Sequence, residues 1–445
     1  MKKTLSILAV LAACSMLAAA QPLRGSYFLE NSLLRGQLNP AFAPKSHYVS
    51  VPVAGYAGIE ILSNIGLENL IFPVDGTSYT FLNDAVDADT FLKRLPEKDP
   101  YVRYRMETNL LNGGYRVHDK LYLTAGLSVV QWGDIRVSNE LLRFAKTGRN
   151  GSENWSIQDG GDLRLARFAV LSASASYDLN DLVPGLRAGG RLKLMTGIKA
   201  ASGQLDNAEF QLHDDLFAAS VRGNALLAGY AYDPEEGFLS GHFGLRGFGA
   251  SVDLGAEYQI RLNGFFNRLN LSASVCGLGG FSFGKVDRLT ASGSASFSGF
   301  QDFGEDGFDL QEGLQTVIDD FSGLADFNRN GQEKFPYPLS PDIFAGAEVT
   351  MFQDLLGVGL LYNRSLGMDN LTASVNLAPL RWLDFSVDVT FLGAGTRFGL
   401  FAECTPCKYI DFFFGFQKAS WKTNRQMLGV RSLTESFSAG INVLL

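Results

Sequence analysis

The sequence predicts an all-β fold, a transmembrane antiparallel β-barrel of about fourteen strands, with sixteen strands as the alternative. Three observations lead to this prediction. Apolar and polar residues alternate with a period of two over most of the chain. No run of about eighteen apolar residues follows the amino-terminal segment, so no transmembrane helix is expected. Short and long connections between the predicted strands alternate, as they do at the two rims of a membrane barrel.

Residues 1–20 have the pattern of a secretory signal peptide. Two lysines precede an apolar stretch, and three alanines before Gln21 form a small-residue cleavage site. The stretch "LAAC", which ends at Cys14, resembles a lipobox, so lipoprotein processing at that cysteine is the alternative. Both routes export the chain from the cytoplasm.

The composition argues against a nucleic-acid partner. The chain has 46 acidic and 38 basic residues, a formal net charge of −8, and loss of the signal peptide removes two of the lysines. No linker or composition break divides the remainder. We therefore expect a short irregular segment, 21–46, followed by one barrel, 47–445.

The alternation is clearest in "DFSVDVTF", where Val387 and its apolar neighbours share one face and Asp384 and Asp388 lie on the other. The same pattern predicts strands at 48–57, 101–117, 121–136, 163–177, 186–199, 248–261, 268–284, 341–351, 355–364, 370–378, 383–392, 396–404, 408–417 and 436–445. The segments "AEFQLHDD" and "ASVRGNALLAGY" within 200–247 would add two strands and give the count of sixteen.

Six connections are short and four are long. The short ones begin at His118, Asp178, Asn263, Phe352, Ala378 and Glu403. The long ones are 58–100, 138–161, 200–247 and 285–340, and residues 308–321 have the apolar spacing of a short helix. We expect the short turns at the periplasmic rim and the long loops, with their helices, at the extracellular rim.

The segment "GQLNPAFAP", 36–44, cannot be a strand because its two prolines lack the N–H that a β-ladder needs. A barrel of about fourteen strands has a lumen too wide for its own side chains to fill. Residues 21–46 are therefore expected to fold into the lumen as a hatch. Arg24, Glu30 and Arg35 would pair with the barrel wall.

The stretch "NSLLRGQLNPAFAPKSHYVSVPVAGY" resembles the amino-terminal hatch of FadL-type outer-membrane channels, in which the triplet Asn39, Pro40 and Ala41 recurs, followed here by Phe42. Together with a late hairpin at 341–364, it also resembles an uncharacterised family of such barrels from the Bacteroidota, a domain of unknown function. The resemblance implies a cell outer-membrane location and passive uptake of a hydrophobic or amphipathic small molecule. Lipid and that ligand would be the partners, and the loops do not identify the ligand.

Charged residues are expected to point into the lumen. They are Arg103, Arg105, Arg164, Arg187, Arg191, Lys193, Asp253, Glu257, Glu348, Asp384, Asp388, Glu403 and Asp411. One interpretation is a transverse field that orients a polar or amphipathic solute. The other is that these charges pair with each other and with the hatch, because interior charges must be paired or hydrated.

The pair Cys404 and Cys407, in "CTPC", is predicted to form a structural disulfide on a short turn, because the compartment is oxidising. No thioredoxin-like βαβ pattern surrounds it, which argues against redox catalysis. Cys276 is left as a free thiol facing the lumen.

No metal site and no cofactor are predicted. Asp326, Asn328 and Asn330 have the spacing of the first ligands of a calcium loop, but Tyr337 occupies the place of its bidentate glutamate. A turn rich in asparagine and glycine explains the stretch as well.

Two other function classes remain open as alternatives. An outer-membrane barrel enzyme would use His213 with its neighbouring aspartates, or His242, yet no nucleophile elbow or zinc spacing accompanies them. We therefore predict that the chain is not an enzyme. A non-transporting barrel subunit or surface scaffold of an outer-membrane secretion or binding complex, with protein partners, would use the long loops for contact.

Overall fold

The structure is a computed structural model. It describes residues 24–74, 77–147, 154–213, 216–228, 230–233, 237–241, 244–297, 327–337, 339–392, 395–418 and 434–445. The predicted signal peptide with Cys14 and the helical segment 308–321 lie outside these ranges.

The described strands follow one another in chain order. They are β1 (Tyr48–Ser50), β2 (Ala57–Ser63), β3 (Ile71–Val74), β4 (Thr77–Thr80), β5 (Tyr101–His118), β6 (Leu121–Val137), β7 (Asn154–Ile157), β8 (Gly161–Asp178), β9 (Leu186–His213), β10 (Leu216–Ala228), β11 (Tyr230–Asp233), β12 (Gly237–Gly241), β13 (Phe248–Arg261), β14 (Phe266–Phe297), β15 (Phe327–Tyr337), β16 (Asp342–Met351), β17 (Leu356–Ser365), β18 (Met368–Leu380), β19 (Leu383–Leu392), β20 (Gly395–Cys407), β21 (Ile410–Lys418) and β22 (Glu435–Leu444). The helices are a 3₁₀ turn (Arg24–Ser26), α1 (Arg35–Leu38), α2 (Leu67–Leu70), α3 (Ala88–Leu92) and α4 (Asn139–Thr147).

Antiparallel pairing closes eighteen of these strands, all but β3, β4, β11 and β12, into a barrel of fourteen positions, which confirms the predicted fold class. The order around the ring is β1 with β2, β5, β6, β8, β9, β13, β14, β16, β17, β18, β19, β20, β21 and β22. The last strand pairs with the first position, Tyr48 opposite Leu444 and Ala57 opposite Ala439. Closure leaves no free edge in the ring, which is why a barrel can span a bilayer.

The segments that suggested sixteen strands lengthen the wall instead of widening it. The first half of β9 pairs with β13 through Thr196, and its second half, from Ala200, pairs with β10. The strand β14 divides in the same way, so β10 stands in line with β13. β15 likewise continues the line of β16 along β14, and β7 continues that of β8 along β9.

The first strand differs from its predicted extent, 48–57. It breaks after Ser50 and resumes at Ala57, and it ends only at Ser63. Pro52 cannot donate a ladder hydrogen bond, and Val53 has a φ of 65°. The break therefore has a local cause, and it brings Glu60, which the sequence had placed in a loop, into the wall.

The two rims differ in the length of their connections. All six predicted short turns lie at one rim, which also holds the C-terminus; we call it the short-turn rim. The opposite long-loop rim carries α2, α3, α4 and the β3–β4 hairpin, where Phe72, Val86 and Phe91 form a small apolar core. Within the described ranges, no helix has the length and hydropathy needed to cross a membrane.

The two faces of the wall have opposite polarity. Along β19 the outward Val387 is 49% exposed, whereas its neighbours Ser386 and Asp388 are at most 1% exposed. Outward Leu360, Leu371, Val375 and Phe414 are likewise exposed. An apolar outside around a polar interior is the pattern of a barrel that lies in lipid.

We expect a charge on the outward face to be costly only at the middle of the wall. Val387→Arg should lower the free energy of unfolding in phospholipid vesicles by about 2–4 kcal/mol, because the guanidinium enters hydrocarbon. Trp382→Arg, at the turn before the same strand, should cost no more than about 1 kcal/mol. Equal costs for the two variants, measured by urea titration, would contradict immersion of this face.

Candidate functional site

Residues 24–46, the hatch, lie inside the barrel and cross it from one side to the other. The segment starts beside β17 and β21 in the half near the long-loop rim, where Arg24 contacts Asn363 and Gln417. It reaches the short-turn rim near Glu30 and then crosses to β5 and β6. Hatch atoms bond to strands on all sides of the lumen, so the wall positions the hatch directly.

The start of the hatch is held by a buried ionic network. Arg24 donates to Glu60 at 2.9 Å, to Asn363 at 2.8 Å and to Gln417 at 3.1 Å. Arg397 also donates to Glu60, at 3.2 Å, and is fully buried. Two guanidinium groups thus share one carboxylate away from water, where loss of that carboxylate would leave two uncompensated charges.

A second buried ion pair holds the middle of the hatch. Arg35 in α1 donates to Glu257 on β13 at 3.2 Å, and its guanidinium carbon lies 3.8 Å from the ring centroid of Phe42. Arg187 on β9 approaches the same carboxylate at 3.3 Å. The carboxylate of Glu257 therefore joins the hatch to two neighbouring strands.

Ionic contacts also fix the hatch at the short-turn rim. Glu30 lies between Arg268 of β14 and Lys45, whose ammonium is 3.1 Å away, and Asn31 donates to Asp384 at 2.6 Å. Burial alone would raise the pKa of Glu30. The positive charges of Arg268, Arg35 and Lys45 outweigh it and hold that pKa below its ordinary value.

The triplet Asn39, Pro40 and Ala41 docks against two glycines of the wall. The Asn39 amide donates to the backbone oxygens of Ala256 and Ala273, at 3.1 and 3.3 Å, and its own oxygen accepts from the Ala41 N–H at 2.9 Å. A Cβ at Gly255 would lie 2.0 Å from the Asn39 side-chain oxygen, and one at Gly189 would lie 2.1 Å from the Pro40 oxygen. Only glycine leaves room for this approach.

The structure places seven of the thirteen predicted lumen charges in ion pairs and gives two more a neutral amide partner. Arg103 contacts Asp134 at 3.2 Å and Arg105 contacts Asp342 at 2.9 Å. The other pairs are Arg187 with Glu257, Arg191 and Lys193 with Asp253, Asp384 with Asn31, and Asp388 with Gln417. Glu348, Glu403 and Asp411 are buried on the inward face, and Arg164 is exposed near the long-loop rim. This arrangement matches the pairing interpretation more closely than an open transverse field.

A cavity of about 400 Å³ lies between the hatch and the wall of β5, β6, β8 and β9. Its lining extends from Leu366 and Gly367, at a turn of the long-loop rim, to Tyr122 and Pro44 at the short-turn rim. The cavity therefore spans the height of the barrel on one side, while the hatch packs against the other side.

Part of the lining of this cavity near the long-loop rim is apolar. Phe168, Met195 and Tyr337 belong to a buried cluster on the inward face, together with Phe281 and Phe283. Trp132 packs on Tyr337 with ring centroids 5.2 Å apart, and Phe168 does so at 5.5 Å. Apolar inward side chains are unexpected in a polar lumen, and they form a surface suited to an apolar ligand.

The two predictions for cysteines have different outcomes. The predicted disulfide is not formed: Cys404 and Cys407 are free thiols. The β20 strand extends through both residues, with an irregularity in its pairing with β21 between them. Cys276 is free and buried as predicted, with its sulfur 3.4 Å from the Leu38 oxygen.

The calcium candidate does not form a loop in the described chain. Asp326 lies outside the described residues, and Asn328 and Asn330 belong to β15, which pairs with β14. A paired strand does not wrap around an ion as a calcium loop does. Of the residues considered for catalysis, His213 ends β9, and 214, 215 and 242 lie outside the described residues.

Sequence reasoning missed several residues that position the hatch. The role of Glu60 was missed because the break in the first strand made its segment look like a loop. The role of Arg397 was missed because it lies near the glycine-flanked start of its strand. Gly189 and Gly255 gave no signal, because glycines are frequent in this chain and their contact partners are distant in sequence. The inward aromatic cluster places apolar side chains on the face that is otherwise polar. This departure from the polar–apolar alternation is a signal by which the cluster could have been found in the sequence.

Comparison with known proteins places the chain in a family. No curated protein matches its sequence. The model of a family described as "Family of unknown function (DUF5723)" matches residues 40–416, most of the chain. The chain belongs to this family. The DUF5723 match begins within the hatch at Pro40 and ends in β21, so it covers nearly the whole barrel.

Solved barrels resemble the DUF5723 chain only distantly. The Pseudomonas putida toluene transporter TodX is 11% identical with a TM-score of 0.40, and 91% of each chain is covered. A Pseudomonas aeruginosa FadL homologue is 13% identical, with 93% of each chain covered and a TM-score of 0.36. The translocator domain of the Neisseria meningitidis autotransporter NalP is 8% identical, covering 94% of this chain and 98% of that one at a TM-score of 0.31.

We expect a methyl group at Gly255 to loosen the hatch without unfolding the barrel. Gly255→Ala places a Cβ against the Asn39 oxygen and should speed hydrogen exchange across residues 36–44 by on the order of tenfold, since it displaces a buried amide. Gly190→Ala is the matched control, because its Cβ would have no neighbour closer than 3.8 Å. Unchanged exchange in Gly255→Ala would contradict the docking role.

Acid should weaken the hatch at the short-turn rim. Because the pKa of Glu30 is lowered, its ionic contacts stabilise the hatch above the ordinary carboxyl pKa, and this contribution is lost as the pH falls through the lowered value. The hydrogen-exchange protection factors of residues 28–33, which correct for the slower intrinsic exchange of amides at acid pH, should therefore fall at acid pH in the wild type. Glu30→Gln should exchange faster at neutral pH and depend less on pH; identical profiles for the two proteins would refute the assignment.

Proposed function

We propose that the protein is an outer-membrane channel for the passive uptake of a hydrophobic or amphipathic small molecule, with the hatch as its closure. The cavity that runs beside the hatch for the height of the barrel carries this proposal. A closed wall with an internal passage, rather than a packed interior, is what a channel requires.

The two faces of the wall support the location. Outward Val387, Leu360 and Phe414 are exposed and apolar, whereas the inward face of the same strands is polar and buried. In such a membrane the short-turn rim would face the periplasm and the long-loop rim the cell exterior. Lipid would be the partner of the outer face.

The cavity supports the ligand class. Its volume of about 400 Å³ lies within the usual range for small-molecule sites. Its end near the long-loop rim is lined by Trp132, Phe168 and Met195, which would bind an apolar group entering from outside. Toward the short-turn rim the wall presents Thr124, Ser172 and Ser174 and the hatch presents apolar residues, so a molecule with both characters would fit along its length.

Deletion of residues 22–44, with the signal peptide kept, should leave a folded barrel whose conductance in planar bilayers is on the order of tenfold larger than that of the intact protein. The reason is that the wall ladder closes without the hatch, and the freed lumen fills with water.

The intact protein, reconstituted at the same density, is the control, and retained heat-modifiable migration shows that the truncated barrel has folded. A folded truncated barrel that conducts no better than the intact one would remove the channel proposal. That result would favour a surface scaffold or a subunit of a larger complex, which stable protein partners in a pull-down would then support.

A further inference from the structure

We propose that the transported molecule passes beside the hatch, along a hydroxyl-lined groove on β5, β6 and β8, and that Tyr48 and Tyr122 gate the groove at its periplasmic end. The inference rests on the proposed channel function and adds a route, a gate and a ligand class. The ligand it fits has an apolar part and an uncharged polar part that carries hydroxyl groups.

The groove follows one strand for nearly its whole length. Seven inward residues of β6, every second one from Tyr122 to Asp134, line the cavity. Twelve residue steps along a strand span about 40 Å, which exceeds the roughly 30 Å of a bilayer core even before strand tilt is considered. The cavity thus reaches from the long-loop rim to the two tyrosines near the short-turn rim and is not a pocket at one mouth.

Small neutral side chains keep the path open. Ser128, Ser172 and Ser174 line it together with Thr124 and Gly126. The Thr124 and Ser174 hydroxyl oxygens lie 2.5 Å apart across two strands. Hydroxyl groups both donate and accept hydrogen bonds, so they can replace the water around an uncharged polar group in either role.

Four of the five cations along the groove are already neutralised, and the fifth, Arg164, is exposed near the long-loop rim. Arg103 and Arg105 pair with Asp134 and Asp342, at 3.2 and 2.9 Å. Arg191 and Lys193 share Asp253, at 3.3 and 2.7 Å. A permanently charged ligand would have to compete with these pairs, whereas a neutral hydroxyl-bearing group would not.

Two tyrosine rings close the periplasmic end. Tyr48 and Tyr122 are at most 5% exposed and face Gly114. A Cβ on that glycine would lie 2.4 Å from the Tyr122 oxygen and 2.6 Å from a ring carbon of Tyr48. The rings therefore occupy the space that would connect the groove to the periplasm.

The gate is fastened to the last residues of the hatch by few bonds. The Tyr122 hydroxyl donates to the Ser46 oxygen at 2.7 Å, and Arg116 donates to the Pro44 oxygen at 2.9 Å. The Arg116 guanidinium lies 5.4 Å from the Tyr122 ring centroid. Movement of residues 44–46 would open the groove and leave the ionic network of Arg24 intact.

The test uses full-length protein in liposomes, with arabinose as the neutral hydroxyl-bearing probe. Tyr122→Ala should raise the arabinose-driven swelling rate at least about threefold over wild type, because it removes the ring and its bond to the hatch. Tyr177→Ala, whose ring lies on the outward face near the same rim, should leave the rate unchanged. Arg116→Gln, which keeps both rings, should give a smaller increase and serves if Tyr122→Ala fails to fold.

Ligand charge is tested with the same variant. Gluconate, an anion of comparable size, should enter more slowly than arabinose; faster gluconate entry would overturn the ligand class. If neither gate variant swells faster than wild type while the hatch-deleted barrel does, the route beside the hatch is wrong and the channel proposal stands. If the hatch-deleted barrel is also impermeable, both fail.

Discussion

The closed antiparallel ladder is the constraint on which the rest of this molecule depends. With β22 paired to the interrupted first strand, every strand of the ring has two neighbours, and the wall can face lipid without unsatisfied backbone groups. Closure at fourteen positions fixes a lumen wider than the wall side chains can fill. The hatch fills this excess space, its ion pairs hold it there, and the wall glycines leave room for it.

The hatch packs against the two sides of the lumen differently. Toward β2, β13 and β17 to β21 it is fastened by buried charges, such as Arg24 on Glu60 and Arg35 on Glu257, whose removal would leave unpaired charge. Toward β5, β6 and β8 it meets serine, threonine and glycine, and space remains. One side of the lumen thus anchors the hatch and the other keeps a cavity, so that in the proposed channel closure and permeation need not compete for the same contacts.

The sequence predicted the elements that depend on local pattern. Strands β13 and β19 were placed to the residue, since clear alternation ends at well-marked turns, and the pairing of Arg35 with the wall followed from burial alone. Relations between distant residues were not predictable. Nothing local links Gly255 to Asn39, or Arg397 to Arg24, and the long β9 looked like a strand plus a loop because its two halves pair with different neighbours. The expected disulfide failed for the converse reason: the spacing suggested a turn, but the strand β20 includes both cysteines, with a register irregularity between them.

The unequal height of the wall has a consequence for how molecules arrive. β9 has 28 residues and β14 has 32, whereas β16 and β17 have 10 each. At about 3.3 Å per residue, the short strands just match an apolar band of roughly 25 Å once tilted, while the long ones rise tens of ångströms above the headgroups. The wall around the mouth is therefore taller on one side than on the other. Its low side is level with the membrane surface, and its high side shields the mouth. A molecule dissolved in the outer leaflet would meet the low side first, so the membrane itself could act as the collecting surface.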